Sequence, residues 1–264
     1  DESPDPEKEE HWRYITNIYA VVTDRGHLTP RLSSPLVVRQ QRGATGTIKV
    51  VTPLIGDQTS LPETDVYSAM TDHLFNVSGY QLLVEQIPLT EIVAADPSLV
   101  HLMGVNATEL SVAETDALKA YVAAGGTVLI ETLGGRGDFA ASVSRQLATI
   151  VTGQDQMLKN GSNPIRNGRG LPDGSESNRR VIYRPLTLEL AQPGTDMLLR
   201  GYQQEDRFPL LISNEDLSLG MLGVRQYGIN GYSVESSRDI MTNILLEAEQ
   251  AHSGSDAPSA PAGG

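Results

Sequence analysis

One stretch, from Leu99 to Glu131, constrains the fold of this chain more than any other. Its sequence, LVHLMGVNATELSVAETDALKAYVAAGGTVLIE, predicts a buried strand, a turn, a helix and a second buried strand. Ser111 and Glu114 form a capping box that starts the helix, and the glycine pair beginning at Gly125 ends it. Two strands joined in this way form a right-handed βαβ unit in almost all proteins, so the stretch predicts part of a parallel sheet.

The alternation of strand and helix continues on both sides of this unit. A glycine-rich turn, TLGGRGD, follows the second strand, and apolar side chains at helical spacing predict a helix over 139–151. Apolar and β-branched runs predict strands over 80–86, 181–190 and 208–213. A final helix is predicted over 233–249. The pattern predicts an α/β domain whose mostly parallel central sheet carries helices on both faces.

The predicted domain spans residues 12–250 and lies between two tails. The first ten residues, DESPDPEKEE, carry six acids and one lysine, and 1–11 is predicted to be a disordered acidic tail. Residues 251–264 are predicted to be a low-complexity tail, and 154–180 a long polar loop or insertion. Further elements are predicted before the central unit: a strand or strand pair over 12–23, strands over 36–39 and 47–51, and a helix over 65–74 with Asp65 as its cap.

The composition of the chain argues against several classes of function. A formal net charge of −13 over 264 residues disfavours binding to nucleic acid or to an anionic membrane surface, which both need a basic face. The absence of cysteine excludes disulfides, thiolate metal sites and a cysteine nucleophile, and it suits an exported protein. Since no apolar run approaches about 18 residues, no membrane span is expected.

The histidines and serines do not indicate a metal or hydrolase site. No pair among the five histidines has the spacing of a helical metal site. His101 lies in a predicted buried strand and is interpreted as a core histidine with satisfied hydrogen bonds. The serines lack the G-x-S-x-G setting of a hydrolase nucleophile. We therefore expect neither a metal nor a cofactor.

Three stretches carry a recognisable pattern: LVHLMGVNATELSVAETDALKAYVAAGGTVLIET, LLISNEDLSLG and GYSVESSRDIMTNILLEA. Together they resemble the bacterial domain of unknown function 4159 family, over roughly residues 12–250. The resemblance implies a flavodoxin-like fold similar to that of class I glutamine amidotransferases, and an exported or envelope-associated setting. Family members typically have a Gly-His-Gly-like turn where this chain has Gly104-Val105-Asn106. The cysteine of the amidotransferase reaction is missing here, so that activity is excluded.

Polar side chains follow three of the predicted strands. Open α/β sheets bind ligands at the carboxyl edge of their parallel strands, where such side chains converge. The favoured interpretation is that the carboxylates Glu131, Glu215 and Asp216 cap turns and helices. The alternative is that Glu131 pairs with Glu215 or Asp216 as general acid and base, as carboxylates do in sugar hydrolysis. The candidate ligand-binding residues at this edge are Asn106, Thr108, Glu131, Thr132, Arg136, Glu215 and Asp216, with Glu109, Asp138 and Asn214 beside them.

The run Gly134-Gly135-Arg136-Gly137 also permits two interpretations. Its backbone N–H groups precede a predicted helix and could bind a phosphate group, with Arg136 as a clamp. The run lacks the lysine and hydroxyl residue of a P-loop and the spacing of a dinucleotide site, and the alternative is a tight turn.

An arginine cluster lies in the predicted polar loop: Arg166, Arg169, Arg179 and Arg180. It is either a solvated surface or a contact for an acidic partner, including the N-terminal tail of a second copy. Taken together, the sequence predicts a non-catalytic binding or assembly module of an exported or envelope-associated complex, acting through a protein partner or self-association. The alternative is a hydrolase or carbohydrate-binding protein that uses the strand-end residues.

Overall fold

The computed structural model describes most of the chain from residue 37 onwards. The described residues are 37–55, 66–151, 153–158, 163–175, 180–194, 196–204, 207–224 and 226–255. The acidic tail over 1–11, the strand or strand pair over 12–23 and Asp65, which the sequence predicts as a helix cap, lie outside the described residues. The predicted tail over 251–264 is described only as far as Ser255, where it is still helical.

The described chain alternates strands and helices. The strands are β1 (Gly46–Val51), β2 (Tyr80–Glu85), β3 (Leu99–Gly104), β4 (Thr127–Thr132), β5 (Gln154–Met157), β6 (Arg200–Gln204) and β7 (Arg207–Ser213). The helices are α1 (Ser68–Ser78), α2 (Ile92–Ala95), α3 (Val112–Ala123), α4 (Phe139–Leu147), α5 (Pro164–Asn167), α6 (Pro185–Ala191), α7 (Ser218–Leu222) and α8 (Val234–Ser255). None of these helices is long and apolar enough, over the described ranges, to span a bilayer.

The strands form a seven-stranded sheet in the order β2-β1-β3-β4-β7-β6-β5. The first five strands in this order are parallel, and β6 and β5 are added to β7 in antiparallel pairings. The predicted α/β class with a mostly parallel sheet is therefore confirmed. The chain moves outward from β1 to β2 and then crosses to β3 on the other side of β1, so the topology reverses between β1 and β3.

Helices cover both faces of this sheet because its strands alternate two sets of apolar side chains. In β4, Leu129 packs in one buried cluster with α1 and α8, through Met70 and Ile244. Its neighbour Val128 faces the opposite cluster, which includes Leu118 of α3. The core is thus two apolar layers separated by the sheet.

The central βαβ unit forms as the sequence predicts. The Ser111 hydroxyl accepts a hydrogen bond from the Glu114 N–H, and the Glu114 carboxylate accepts one from the Ser111 N–H, which completes the capping box at α3. At the other end, Gly125 has φ of +107° and the Gly126 N–H donates to the Tyr121 carbonyl over 3.0 Å. Strands β3 and β4 pair in parallel, with Leu99 opposite Thr127.

Two predicted strands are wrong. Residues 181–190 contain no strand but the start of α6, because Pro185 suits the first turn of a helix and cannot donate to a strand ladder. The described part of 36–39 also forms no strand. It lies against α1 instead, where the Asn76 side chain bonds the Val38 carbonyl and the Gln40 N–H.

The predicted polar loop over 154–180 contains two short elements, β5 and α5. Strand β5 has the sequence QDQM, which shows no apolar alternation because the strand lies at the edge of the sheet. Helix α5 is anchored by Ile165, which is fully buried and whose carbonyl accepts from the Asn243 side chain of α8 over 2.8 Å. The segment is therefore attached to the domain at both elements.

Candidate functional site

Three loops meet at the carboxyl edge of the sheet, and we call them the loop platform. They follow β3, follow β4 and precede α8: residues 104–108, 133–138 and 226–232. The Asn230 N–H donates to the Gly134 carbonyl over 3.0 Å, and the Asn230 side-chain amide donates to the Gly135 carbonyl over 2.9 Å. The Phe139 N–H donates to the Val105 carbonyl over 3.3 Å. The loops therefore hold one another through their backbones.

Close approach within the loop platform requires glycine at two positions. Gly135 has φ of +61°, and a Cβ there would lie 1.6 Å from the Asn230 carbonyl oxygen. Gly137 has φ of +137°, and a Cβ there would lie 2.2 Å from the Val105 carbonyl oxygen. Any side chain at either position would push neighbouring backbone apart.

These contacts match the tight-turn interpretation of the glycine-rich run. The Gly134 N–H, which a phosphate group would need, already donates to Asp216 Oδ2 over 2.8 Å. Arg136 is exposed on the loop platform, as is Asn106. The run therefore packs the loops together, and the Asp216 carboxylate accepts the hydrogen bond that a phosphate group would need.

Asp216 is fully buried and joins these loops to α7. Its second oxygen, Oδ1, accepts from the Gly220 N–H over 3.2 Å, and its own N–H donates to the Asn230 carbonyl over 2.9 Å. Burial, and next the negative charge of nearby Glu131, raise the pKa of Asp216 to about 7. This carboxyl acts as a cap for backbone N–H groups.

Glu131 is also fully buried, at the end of β4. Its Oε1 accepts from the N–H groups of Leu217 and Ser218, both over 2.9 Å. Its Oε2 accepts from the Ser218 hydroxyl over 2.8 Å and from His101 Nε2 over 2.9 Å. A carboxylate offers about four acceptor sites, and these four bonds use them.

The His101 ring continues this network to α1. Its Nδ1 lies 2.8 Å from the Tyr67 hydroxyl. A neutral imidazole with its proton on Nε2 donates to Glu131 and accepts from Tyr67, which satisfies all three groups. Burial, and next the charge of Glu131, raise the pKa of Tyr67 well above its ordinary value, so its hydroxyl keeps the proton it donates. The prediction of a satisfied core histidine is confirmed.

The structure therefore brings Glu131 and Asp216 together, but with both carboxyl groups turned inward. Their contacts are those of the capping interpretation, in which carboxylates hold helix and turn N–H groups. Glu215 differs from them because it is only half-buried. Burial raises the pKa of Glu215 to about 7, against smaller opposing effects of its own backbone N–H and of Arg200.

Two further predicted ligand residues position α4. The Thr132 hydroxyl accepts from the Ala140 N–H over 3.0 Å. The Thr108 N–H donates to the Ser142 hydroxyl over 3.0 Å, and its carbonyl accepts from the Gln146 side chain over 2.8 Å. Both threonines therefore hold the β3 and β4 loops against α4.

The predicted arginine cluster is described in part. Arg166 is half-buried on α5, Arg169 and Arg180 are exposed, and Arg179 lies outside the described residues. Arg166 and Glu215 both act electrostatically on Tyr183, whose pKa is raised chiefly by burial.

The sequence analysis also missed Arg184, which holds the third loop. Its guanidinium donates from Nε to the Tyr232 carbonyl over 3.0 Å and from Nη2 to the Val224 carbonyl over 2.7 Å. No local pattern marks this arginine, because its acceptors are 48 and 40 residues away in the chain. Within the described ranges, no group of three or more histidines and carboxylates could hold a metal ion.

Comparison with known protein families assigns this chain to a family. Residues 84–246 match the model of the family described as Domain of unknown function (DUF4159), and the chain belongs to that family. A comparison with curated proteins gives no match. The matched range starts inside β2, yet β1 lies between β2 and β3 in the sheet. The structural domain therefore extends at least as far as Gly46 on the N-terminal side of the match.

Proposed function

We propose that this chain is a non-catalytic binding or assembly module of an exported or envelope-associated protein complex, and that the loop platform is its binding surface. The observation that carries the proposal is the orientation of the strand-end side chains. Glu131 and Asp216 face inward and bond backbone groups, while Tyr227 is 71% exposed and Val105 is 44% exposed on the same loops. The exported setting is taken from the family resemblance.

A rigid surface of this kind suits protein recognition. Loops already held by hydrogen bonds lose little conformational freedom on binding, which lowers the free-energy cost of association. Tyrosine and arginine dominate the binding energy of many protein interfaces. Tyr227 and the exposed Arg136 supply both on the loop platform.

The arginines are the second proposed contact. Arg169 and Arg180 are exposed, and with Arg166 and Arg179 they would meet an acidic partner or the acidic N-terminal tail of a second copy. Because the body of the chain is itself acidic, exposed arginines would distinguish this surface from its surroundings.

The test is the mass of the purified chain by light scattering over a range of concentrations, alone and with any protein that co-purifies. We expect a defined assembly that the Tyr227→Ala/Arg136→Gln variant weakens. Val93→Ala is the matched control, because Val93 is 47% exposed on α2 at the opposite edge of the sheet. A chain that is strictly monomeric and partnerless would contradict the proposal.

The arginine contact needs a separate variant. Deleting 154–180 would remove β5 and the buried Ile165, so loss of assembly after deletion would also follow from damage to the fold. Arg169→Gln/Arg180→Gln removes two charges from exposed positions and leaves the core intact. Weakened assembly in this variant supports the arginine contact, and unchanged assembly restricts the interface to the loop platform.

The alternative proposal is a hydrolase or carbohydrate-binding protein at the same edge, and Glu215 favours it. A general acid works best when its pKa lies near the working pH, and this half-buried carboxyl has a pKa of about 7. Glu215→Gln would then abolish turnover or ligand binding with little change in melting temperature. Asp216→Asn is the comparison for a structural role. Because Asp216 caps backbone N–H groups, we expect that variant to lose stability.

A further inference from the structure

Strand β2 forms one edge of the sheet. Within the described chain it lies at the end of the strand order and is hydrogen-bonded to β1 alone. The Thr52 N–H, just after β1, donates to the Glu85 carbonyl over 2.9 Å, so Glu85 directs its backbone groups toward β1. Because successive residues of a strand direct their N–H and carbonyl groups to alternate sides, Tyr80, Leu82 and Val84 direct theirs away from the sheet.

This edge lacks the features that usually prevent pairing with another strand. Natural sheet edges are protected by proline, lysine, a bulge or a short strand length. Strand β2 has the sequence YQLLVE, with neither proline nor lysine, and it pairs with β1 without a register shift. Its Leu83 side chain is 46% exposed. The other edge strand, β5, has four residues and the polar sequence QDQM, so β2 is the edge that suits pairing.

We propose that β2 pairs with β2 of a second copy of this chain, in an antiparallel and twofold-symmetric arrangement that joins the two seven-stranded sheets. The twofold axis lies at Leu82, which faces Leu82 of the second copy, and Val84 faces Tyr80. The Leu82 N–H donates to the opposite Leu82 carbonyl, and the Val84 N–H donates to the opposite Tyr80 carbonyl. Symmetry repeats both bonds. This register pairs all three residues whose backbone groups point outward.

The same register brings opposite charges together at each end of the pairing. Glu85 of one copy lies opposite Gly79 of the other. The exposed guanidinium of Arg42 lies beside Gly79, since a Cβ at Gly79 would be 3.0 Å from Arg42 Nη2. The Glu85 side chain is 38% exposed and holds Lys49 through Oε2 over 2.9 Å. An Arg42–Glu85 contact therefore forms twice across the axis, and this complementarity favours a second copy as the partner.

Two exposed side chains of β2 allow the register itself to be tested. Gln81 and Leu83 are both exposed in the single chain. The proposed axis places Gln81 of one copy opposite Leu83 of the other, so this pair occurs twice. The pairing uses no residue of the loop platform and is independent of the proposed function.

The test is analytical ultracentrifugation of the chain and of two charge variants over a range of concentrations. In Gln81→Lys/Leu83→Lys, lysines face each other at both pairs, and the dissociation constant of the dimer should rise by about tenfold or more. Gln81→Lys/Leu83→Glu is the matched control, because each lysine then faces a glutamate and the dimer should persist. Both variants change only exposed positions, and thermal unfolding checks that they fold.

Two results would overturn the β2 pairing. One is a wild-type chain that stays monomeric at every concentration, and the other is an equal dissociation constant for the two charge variants. The Tyr227→Ala/Arg136→Gln variant separates this pairing from the loop platform, since it should leave the β2 dimer unchanged. A dimer that this variant abolishes, and that the double-lysine variant keeps, would place the interface on the loop platform and contradict the pairing.

Cysteine cross-linking gives a second measurement if the double-lysine variant does not fold. The chain has no cysteine of its own. Residues 81 and 83 form a pair without backbone hydrogen bonds in this register, where Cα atoms lie about 4.5 Å apart, within the range of a disulfide. A mixture of Gln81→Cys and Leu83→Cys chains should form a cross-linked dimer on mild oxidation. Absence of this cross-link would contradict the register.

Discussion

The two faces of the sheet differ in the side chains that the central strands bury on them. The face under α2, α3 and α4 is lined by apolar side chains of the central strands: Val100, Leu102, Val128, Ile130, Leu210 and Ile212. The face under α1, α7 and α8 is also lined by apolar side chains, Leu99 and Leu129 among them, but in addition it carries His101, Glu131 and Ser213 on adjacent strands, all of them fully buried. We call these the apolar face and the polar face.

This comparison indicates which face of the sheet fixes the geometry of the candidate site. Apolar packing tolerates changes of shape as long as volume is kept. A buried polar network is stable only when every partner is in place, and it therefore specifies one arrangement of the chain. The Glu131 network sets the start of α7, and the neighbouring Asp216 sets the loop platform. The polar face thus orders the carboxyl edge.

The variant with the largest expected effect disrupts the polar face and leaves the apolar face intact. Glu131→Gln keeps the shape of the side chain but replaces one acceptor oxygen by an amide donor that faces other donors. We expect a loss of about 3 kcal/mol in the free energy of unfolding, measured by urea denaturation, because buried donors lose a charged acceptor. Ile130→Val, the neighbouring residue on the other face, should cost about 1 kcal/mol. Similar losses for the two variants would contradict the comparison.

A pH series tests another buried acid, on α8. Burial raises the pKa of Glu247 to about 7, and its carboxyl accepts from the Phe208 N–H over 3.3 Å. The unfolded chain releases this proton near its ordinary pKa of about 4.3, while the folded chain holds it to about 7. The contribution of Glu247 to the free energy of unfolding is therefore fully present below about pH 4 and is lost, by up to about 3 kcal/mol, as pH rises through 7.

The matched variant for this pH effect is Glu247→Gln. It keeps an acceptor oxygen for the Phe208 N–H but does not titrate. Between about pH 4 and 7, the wild-type chain should lose stability relative to this variant. A constant difference between the two unfolding curves across this range would show that Glu247 does not contribute.

Two neighbouring glycines test how tightly the loops of the loop platform pack. Gly134 and Gly135 both have positive φ, +70° and +61°. A Cβ at Gly134 meets nothing within 4 Å, whereas one at Gly135 would lie 1.6 Å from the Asn230 carbonyl oxygen. Gly134→Ala should therefore cost about 1–2 kcal/mol for the left-handed conformation, and Gly135→Ala should cost more by about 2 kcal/mol. Equal losses in thermal unfolding would show that the loops can move apart.

The smallest expected effect concerns a local cap over the apolar face. Ser111→Ala removes the hydroxyl that bonds the Glu114 N–H and should cost about 1 kcal/mol. Thr115→Ala is the control, because its exposed hydroxyl bonds the Ser111 carbonyl and takes no part in the capping box. Chemical denaturation of both variants measures the difference, and a loss as large as that of Glu131→Gln would be contrary to the comparison.

The sequence alone determined the βαβ unit, because its signals are local. A capping box spans four residues, a glycine pair ends one helix, and apolar runs mark β3 and β4. The mostly parallel sheet follows from the repetition of such units. Local patterns failed where the environment decides conformation, as in the exposed edge strand β5 and in α6, whose single fully buried side chain is Thr187.

Only the tertiary structure decided what the strand-end carboxylates do. Glu131 was identified from its position after a strand, but its partners Leu217 and Ser218 are 86 and 87 residues away, and Asp216 meets Gly134 across 82 residues. The same sequence pattern is compatible with a solvent-facing acid and with a buried cap. The physical reason is that a carboxylate takes the role that its donors permit, and strand pairing and helix packing place those donors from distant parts of the chain.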